Sequence, residues 1–180
     1  MSTASASPAP ASPKRRWFLK TTLAVVAVGA AVGGGIWFRR GFEGTALTPH
    51  GREVFKAVAR GVLGPMLPAA GTPEREAMLE RYLGNLEALI NSLPQAKRNE
   101  IALLAGMLAN APTRWMLSGM WTSWADASDE QVIHALRELQ SSDSLVPNIS
   151  YAAARALTCM AYFTIPDYWS HVGYPGPMAI

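Results

Sequence analysis

The sequence is poor in the residues that build metal, redox and nucleophilic sites. It contains one cysteine and three histidines in 180 residues. A single cysteine excludes an intrachain disulfide, a cysteine-based zinc or iron–sulfur site and a covalently attached c-type haem. The histidines are scattered, and no metalloprotease motif, phosphate-binding glycine loop or nucleophile elbow accompanies them. We therefore expect no catalytic residue, cofactor site or metal site in this chain.

Acidic residues are absent from the first 40 positions. Six of the 16 Lys and Arg residues lie there, and from Gly41 onward 10 basic residues are set against 13 acidic ones. The basic character of the whole chain therefore comes from its N-terminus. Because the remainder is slightly acidic, it predicts no groove for nucleic acid.

The N-terminal basic residues form a recognisable pattern. Residues 1–13 are rich in Ser, Ala and Pro, and we expect them to form a disordered tail. The next block resembles the twin-arginine export motif, with paired arginines, a hydrophobic pair and a lysine at Arg15, Arg16, Phe18, Leu19 and Lys20. Such a motif is an address read by a receptor. The resemblance implies a periplasmic protein that the twin-arginine translocase exports in a folded state.

An uncharged stretch of 18 residues, Thr21–Phe38, follows this motif. It is at the lower limit of what spans a bilayer core of about 30 Å. More basic residues precede it than follow it, so the positive-inside rule leaves the N-terminus in the cytoplasm and places the rest outside. We assign residues 14–40 to a signal or membrane anchor, and the sequence leaves open whether it is cleaved.

Residues 41–180 predict an all-α domain, a compact bundle of about six helices. Threonine–proline pairs and single prolines supply helix starts, and apolar residues then recur at helical spacing. The predicted helices begin at Thr48, Thr72, Pro94, Arg114, Ser128 and about Ile149, and the last one ends at Phe163. No strand is predicted. In the last helix we expect one closely packed face formed by Ala153, Ala156, Leu157 and Met160.

The fourth predicted helix, Arg114–Trp124, is apolar nearly all round. Helical spacing gives it one continuous face, formed by Leu117, Met120, Trp121 and Trp124. Trp115 and Met116 point elsewhere. Two interpretations are open: the chain's own helices cover this helix on every side, or Trp115 and Met116 contact a partner, because aromatic residues and Met are enriched at interfaces.

The unpaired cysteine also has two interpretations. In an exported protein, an odd cysteine indicates a free thiol or an intermolecular disulfide. Cys159 follows Arg155 by four residues on the same helical face, and a neighbouring guanidinium favours the thiolate. Alternatively, Cys159 is a small buried core residue, as free cysteines often are.

The C-terminal segment is rich in aromatic residues, proline and glycine. Its Gly-Tyr-Pro-Gly-Pro sequence predicts a type II turn, in which Pro175 fixes φ and Gly176 takes a positive φ. This irregular strap packs over the bundle or extends an interface with a partner. The interface interpretation assigns partner contacts to Trp169, Tyr174, Pro175, Gly176 and Pro177.

The signal, the first helix and the tail together resemble a known family. Leu47–Pro68 and the Gly-Tyr-Pro-Gly-Pro tail are similar to small twin-arginine-exported proteins of the gluconate 2-dehydrogenase subunit 3 type. The middle of the chain matches only in its helical character. These proteins are similar to the small (gamma) subunits of flavin-dependent sugar and alcohol dehydrogenases of the glucose-methanol-choline class.

This resemblance implies an accessory subunit without catalytic residues. The chain would dock on a large flavoprotein subunit that has no leader of its own, stabilise it and escort it through the twin-arginine pathway. FAD is then expected in the partner, which also determines the substrate. In some relatives a cysteine links the two subunits, and Cys159 is the candidate here. Whether a cytochrome c subunit joins the complex stays open.

A second function is compatible with the same residues. The chain would then be a membrane-anchored periplasmic helical module that binds a small hydrophobic ligand among its tryptophans and methionines. An obligate subunit is expected to be poorly soluble without its partner, whereas a ligand-binding module is expected to be a well-behaved monomer.

The export signal gives a first testable prediction. Replacing Arg15-Arg16 by Lys-Lys should abolish export, because the receptor reads the paired arginines. Immunoblots of periplasmic and cytoplasmic fractions measure this. The same replacement at Arg39-Arg40 is the control and should leave export intact. Undiminished export of the Arg15-Arg16 variant would contradict the prediction.

Overall fold

The computed structural model describes Gly34 and residues 40–176, without the side chains of His171 and Val172. The chain divides into two units, and the description below concerns the second, Gly35–Ile180. The predicted export signal lies outside the described residues, as does the stretch Thr21–Phe38 apart from Gly34, and so does Pro177. In the described part of the chain, no helix has both the length and the apolar character needed to cross a membrane.

Six α-helices make up most of the described residues, and the fold is the predicted all-α bundle. They are α1 (Pro49–Leu63), α2 (Pro73–Asn91), α3 (Gln95–Ala109), α4 (Ala111–Ser118), α5 (Asp129–Ser141) and α6 (Leu145–Phe163). Short 3-10 helices follow α1 at Gly64–Met66 and α6 at Pro166–Val172. The Thr48, Thr72 and Ser128 side chains accept hydrogen bonds from first-turn N–H groups, which confirms three predicted helix starts.

A small hairpin precedes α1, although no strand was predicted. β1 (Phe42–Glu43) pairs in antiparallel register with β2 (Ala46–Leu47). Strands of two residues are too short to produce an alternating sequence pattern. The Gly41 N–H also donates to the carbonyl of Ala102 at 3.0 Å. This hydrogen bond connects the segment before the hairpin to α3.

Helix α1 is the centre of the bundle and contacts α2, α3, α5 and α6. Phe55 and Ala59 are buried in one apolar cluster, which α1 shares with α2, α3 and α6. Val54 and Val58 are buried in a second cluster with α3, α5 and the segment that follows α4. Helix α1 therefore packs into two apolar clusters, because apolar residues lie on two of its sides.

Helix α4 is shorter than the predicted helix Arg114–Trp124. It ends at Ser118 because Gly119 takes a left-handed conformation, with φ +70°, and its N–H donates to the carbonyl of Trp115 at 2.8 Å. Trp124 therefore lies in a loop and not on the predicted helical face. It is nevertheless buried, and its indole N–H donates to the carbonyl of Leu108 at 2.7 Å.

Helix α6 begins four residues before its predicted start. Pro147 lies in its first turn, where a missing N–H breaks no intrahelical hydrogen bond. The predicted packed face is also wrong, since Ala156 and Met160 are exposed. The helix instead buries the neighbouring side, formed by Ala154, Leu157, Thr158, Ala161 and Tyr162. Two of these residues, Thr158 and Tyr162, are polar or amphipathic. A search for apolar residues at helical spacing therefore did not identify the buried face.

The hydroxyl of Thr158 is used in a hydrogen bond between helices. It lies 3.1 Å from the hydroxyl of Tyr82 on α2, in a fully buried position. Burial raises the pKa of the Tyr82 phenol far above its ordinary value, because the charged form loses its hydration. The phenol therefore stays neutral and attaches α6 to α2 by this bond.

A buried arginine organises the loop after α4. Arg114 is 4% exposed, and its guanidinium donates to the carbonyls of Ala109 at 2.8 Å, Met120 at 3.2 Å and Trp121 at 2.7 Å. These bonds connect the end of α3 with the loop that reverses the chain after Gly119. Because buried carbonyls need hydrogen-bond donors, the arginine satisfies carbonyls on both sides of the short helix α4.

Removal of this arginine should destabilise the fold. Arg114→Met keeps most of the apolar stem but leaves three carbonyls without their donor, so we expect the free energy of unfolding to fall by about 3 kcal/mol. Urea denaturation followed by circular dichroism measures the loss. Arg137→Met, at an exposed position on α5, is the control and should change stability by less than about 0.5 kcal/mol. Equal stability of the two variants would contradict this role of Arg114.

Candidate partner interface

Three large apolar side chains around α4 are exposed. Trp115 is 49% exposed, Met116 70% and Trp121 61%. The two indole rings stack on each other, with centroids 5.3 Å apart and an interplanar angle of 22°. We call Trp115, Met116 and Trp121 the tryptophan surface. The described chain does not cover them, so the interpretation of α4 as a helix covered on every side is wrong.

Buried contacts fix the position of the tryptophan surface. Arg114 immediately precedes Trp115, and its guanidinium also binds the carbonyl of Trp121. The reversal at Gly119 then brings Trp121 back beside Trp115. The position of the exposed rings is therefore set by the hydrogen bonds of Arg114 as well as by the stacking of the two rings on each other. Such a preformed aromatic pair loses little conformational entropy when it binds a partner.

A shallow groove connects the tryptophan surface to the end of α5. Trp115, Met116 and Leu117 form one wall, and the other wall comes from Glu138 and Ser141–Asp143. Apolar residues bordered by polar and acidic ones are typical of a protein interface with a polar rim.

Sequence reasoning missed a second group of exposed apolar residues. Leu145, Val146 and Ile149, on the first turns of α6, are each more than half exposed. The first of them, Leu145, lies two residues after Asp143, which lines the groove beside the tryptophan surface. Leu145 and Val146 lie in residues 141–148, which were interpreted as a polar break, and Ile149 was taken only as the start of the helix.

The tail is more regular than predicted. Pro166–Val172 forms a 3-10 helix in the segment expected to be irregular. Trp169 is partly buried, and its indole N–H donates to the carbonyl of Phe163 at 2.8 Å. Tyr174 packs edge-on against Trp169, with ring centroids 5.3 Å apart, and is 49% exposed. Gly176 has φ +95°, as the predicted turn after Pro175 requires.

The two predicted sets of partner contacts do not form one cluster. The groove beside Trp115 includes Asp143, just before α6 begins, whereas Trp169 is bonded to the last residue of that helix. An α-helix of 19 residues is roughly 27 Å long. The tryptophan surface and the tail therefore lie near opposite ends of α6.

Cys159 is neither fully buried nor fully exposed. It is a free cysteine on α6, between buried Thr158 and half-exposed Met160. Its intermediate position keeps both interpretations open, the small core residue and the thiol that reaches a partner.

Several charged side chains form ion pairs between helices. Asp129, at the start of α5, accepts from Arg60 at 3.2 Å and from Arg75 at 2.6 Å. Lys56 pairs with Glu76 across α1 and α2 at 2.5 Å. These groups hold helices together. Over the described range, no group of three or more His, Cys, Asp or Glu residues could hold a metal ion.

Comparisons with known proteins add no relative. No protein-family model, functionally characterised protein or solved structure matches this chain.

Exposure of the tryptophan surface predicts how substitutions there affect stability. Met116→Ala should change the free energy of unfolding by less than about 0.5 kcal/mol, because most of its side chain is exposed. Trp115→Ala should cost more, about 1–1.5 kcal/mol, because half of its surface is covered and its ring stacks on Trp121. Trp124→Ala, the buried control, should cost about 3–5 kcal/mol. Urea denaturation of the three variants measures these values. A large loss for Met116→Ala would mean that its side chain is covered in solution.

Proposed function

We propose that this chain is a non-catalytic accessory subunit of a flavin-dependent sugar or alcohol oxidoreductase, and that it escorts the large flavoprotein subunit through the twin-arginine pathway. The tryptophan surface is the observation that carries this proposal. Two stacked indoles and a methionine are held in an exposed position by buried contacts. Large exposed apolar patches on a folded domain mark interaction sites.

The N-terminal motif and the tail support the same proposal. Arg15, Arg16 and Lys20 belong to a pattern that resembles an export signal for folded proteins. Gly176 has the positive φ expected from the Gly-Tyr-Pro-Gly-Pro sequence, which is one of the features on which the family resemblance rests. An export signal for folded cargo, combined with a docking surface, suits a chain that carries a bound partner across the membrane.

In this arrangement the chemistry belongs to the partner. The large subunit holds FAD and selects the substrate. This chain contributes a docking surface and the export signal. Cys159, which is partly exposed on α6, is the residue available for a covalent link between the subunits.

The proposal predicts a flavoprotein at one-to-one stoichiometry when the tagged chain is purified from its native cell envelope. Flavin absorbance and mass spectrometry identify it. Joint replacement of Trp169 and Tyr174 by alanine should abolish its copurification and leave the helix content unchanged, because neither ring belongs to the two buried apolar clusters.

Two outcomes would contradict parts of this account. Unchanged copurification of the double variant would exclude the tail from the interface. A colourless monomer from the unmodified chain would overturn the proposed function and favour the module that binds a small hydrophobic ligand.

A further inference from the structure

A polar cavity of about 400 Å³ lies between the hairpin and the start of α3. The hairpin side contributes Arg40, which precedes β1, and Glu43. The first turns of α3 contribute Gln95, Arg98 and Asn99, whose i, i+3, i+4 spacing places them on one face of that helix. We call the cavity that these five residues line the hairpin cavity. The proposed interface and the export motif do not use it.

Backbone contacts hold the two arginines of the hairpin cavity next to each other. The Gly41 N–H donates to the carbonyl of Ala102 at 3.0 Å, and Ala102 lies about one helical turn after Arg98. On the other side of the segment, the Thr48 hydroxyl donates to the carbonyl of Arg40 at 2.6 Å. The backbone of Arg40 is therefore fixed beside the first turn of α3, and two cationic side chains from separate elements line one cavity.

Arg98 has a buried hydrogen-bond donor that no acceptor satisfies. One terminal nitrogen of its guanidinium donates to the side-chain oxygen of Gln95. Its Nε is buried and forms no hydrogen bond with any described residue. Leaving a buried N–H unpaired costs free energy, and an acceptor that drew this guanidinium into the cavity would remove that cost.

The charges around the hairpin cavity favour an anion. Two guanidinium groups line it together with one exposed carboxylate, that of Glu43. Lys97 and Glu100, on the same turns of α3, pair with each other at 2.8 Å and so cancel in charge. No side chain caps the start of α3 at Gln95. The helix dipole gives this end a partial positive charge, which adds to that of the arginines.

We propose that the hairpin cavity binds a phosphate group, held between Arg40 and Arg98. A guanidinium binds phosphate oxygens through two parallel hydrogen bonds. A tetrahedral phosphate has enough oxygens for two guanidinium groups that approach from separate elements, whereas one guanidinium is enough for both oxygens of a carboxylate. The volume is within the range of small-molecule sites, so a phosphate ester fits as well as the free ion. The inference does not depend on the proposed function.

The same phosphate chemistry has two sources, a soluble phosphate and the headgroup of a phospholipid. Arg40 follows the uncharged stretch Thr21–Phe38 by two residues. Two residues span at most about 7 Å, so an uncleaved membrane anchor would hold Arg40 close to the lipid headgroups. This position in the chain favours the headgroup, and the experiment separates the two sources.

Isothermal titration calorimetry of the full chain in an uncharged detergent tests the proposal. One probe is inorganic phosphate. The other is glycerophosphoglycerol, the headgroup of phosphatidylglycerol without its acyl chains, and sodium chloride at the same ionic strength is the blank. Arg40→Gln and Arg98→Gln each remove one guanidinium, and Glu43→Gln removes the carboxylate. Arg137→Gln, at an exposed position on α5 outside the cavity, is the matched control. Circular dichroism checks the folding of each variant.

We expect saturable binding that Arg40→Gln and Arg98→Gln each weaken by about tenfold or more, because charge-assisted hydrogen bonds are lost. Glu43→Gln should strengthen binding by about twofold or more, because it removes a like charge. Arg137→Gln should leave the affinity unchanged. Tighter binding of glycerophosphoglycerol assigns the cavity to a phospholipid, and tighter binding of inorganic phosphate assigns it to a soluble phosphate. No saturable binding of either probe, or equal affinity of folded Arg98→Gln and the unmodified chain, would overturn the site.

Discussion

The buried guanidinium of Arg114 is the contact on which the candidate interface depends. It binds carbonyls from the end of α3 and from the loop after α4, and it directly precedes Trp115. A helix as short as α4 has little stability of its own, because the first turn is costly to form. The arginine compensates for this by hydrogen-bonding the loop to the core. The exposed indoles of Trp115 and Trp121 are thereby presented on a rigid base.

Much of the fold could be predicted from local signals. The caps at Thr48, Thr72 and Ser128 each start a helix, because a side-chain oxygen there accepts a first-turn N–H bond. The end of α4 was missed, since apolar residues continue past Gly119 and conceal the chain reversal. The buried side of α6 was missed because Thr158 and Tyr162 are in the core. Their burial depends on partners from another helix, which no local pattern reveals.

The candidate site was predictable in its residue types but not in its extent. An excess of tryptophan and methionine around α4 indicated Trp115 and Met116, and both are exposed. Trp121 was assigned to a packed face, because its loop was interpreted as helix. Leu145 and Val146 were missed with the true start of α6. The sequence of α6 is largely apolar, and the structure leaves part of that apolar surface exposed. The bundle therefore does not cover all of the apolar surface of this helix.

The central claim is that this chain escorts a flavoprotein out of the cytoplasm. Deleting the gene for this chain tests the claim. The flavoprotein subunit should then stay in the cytoplasm, and expression of this chain should restore it to the periplasm. The measurement is the distribution of that subunit and of its flavin between periplasmic and cytoplasmic fractions. A flavoprotein that reaches the periplasm equally well without this chain would contradict the account.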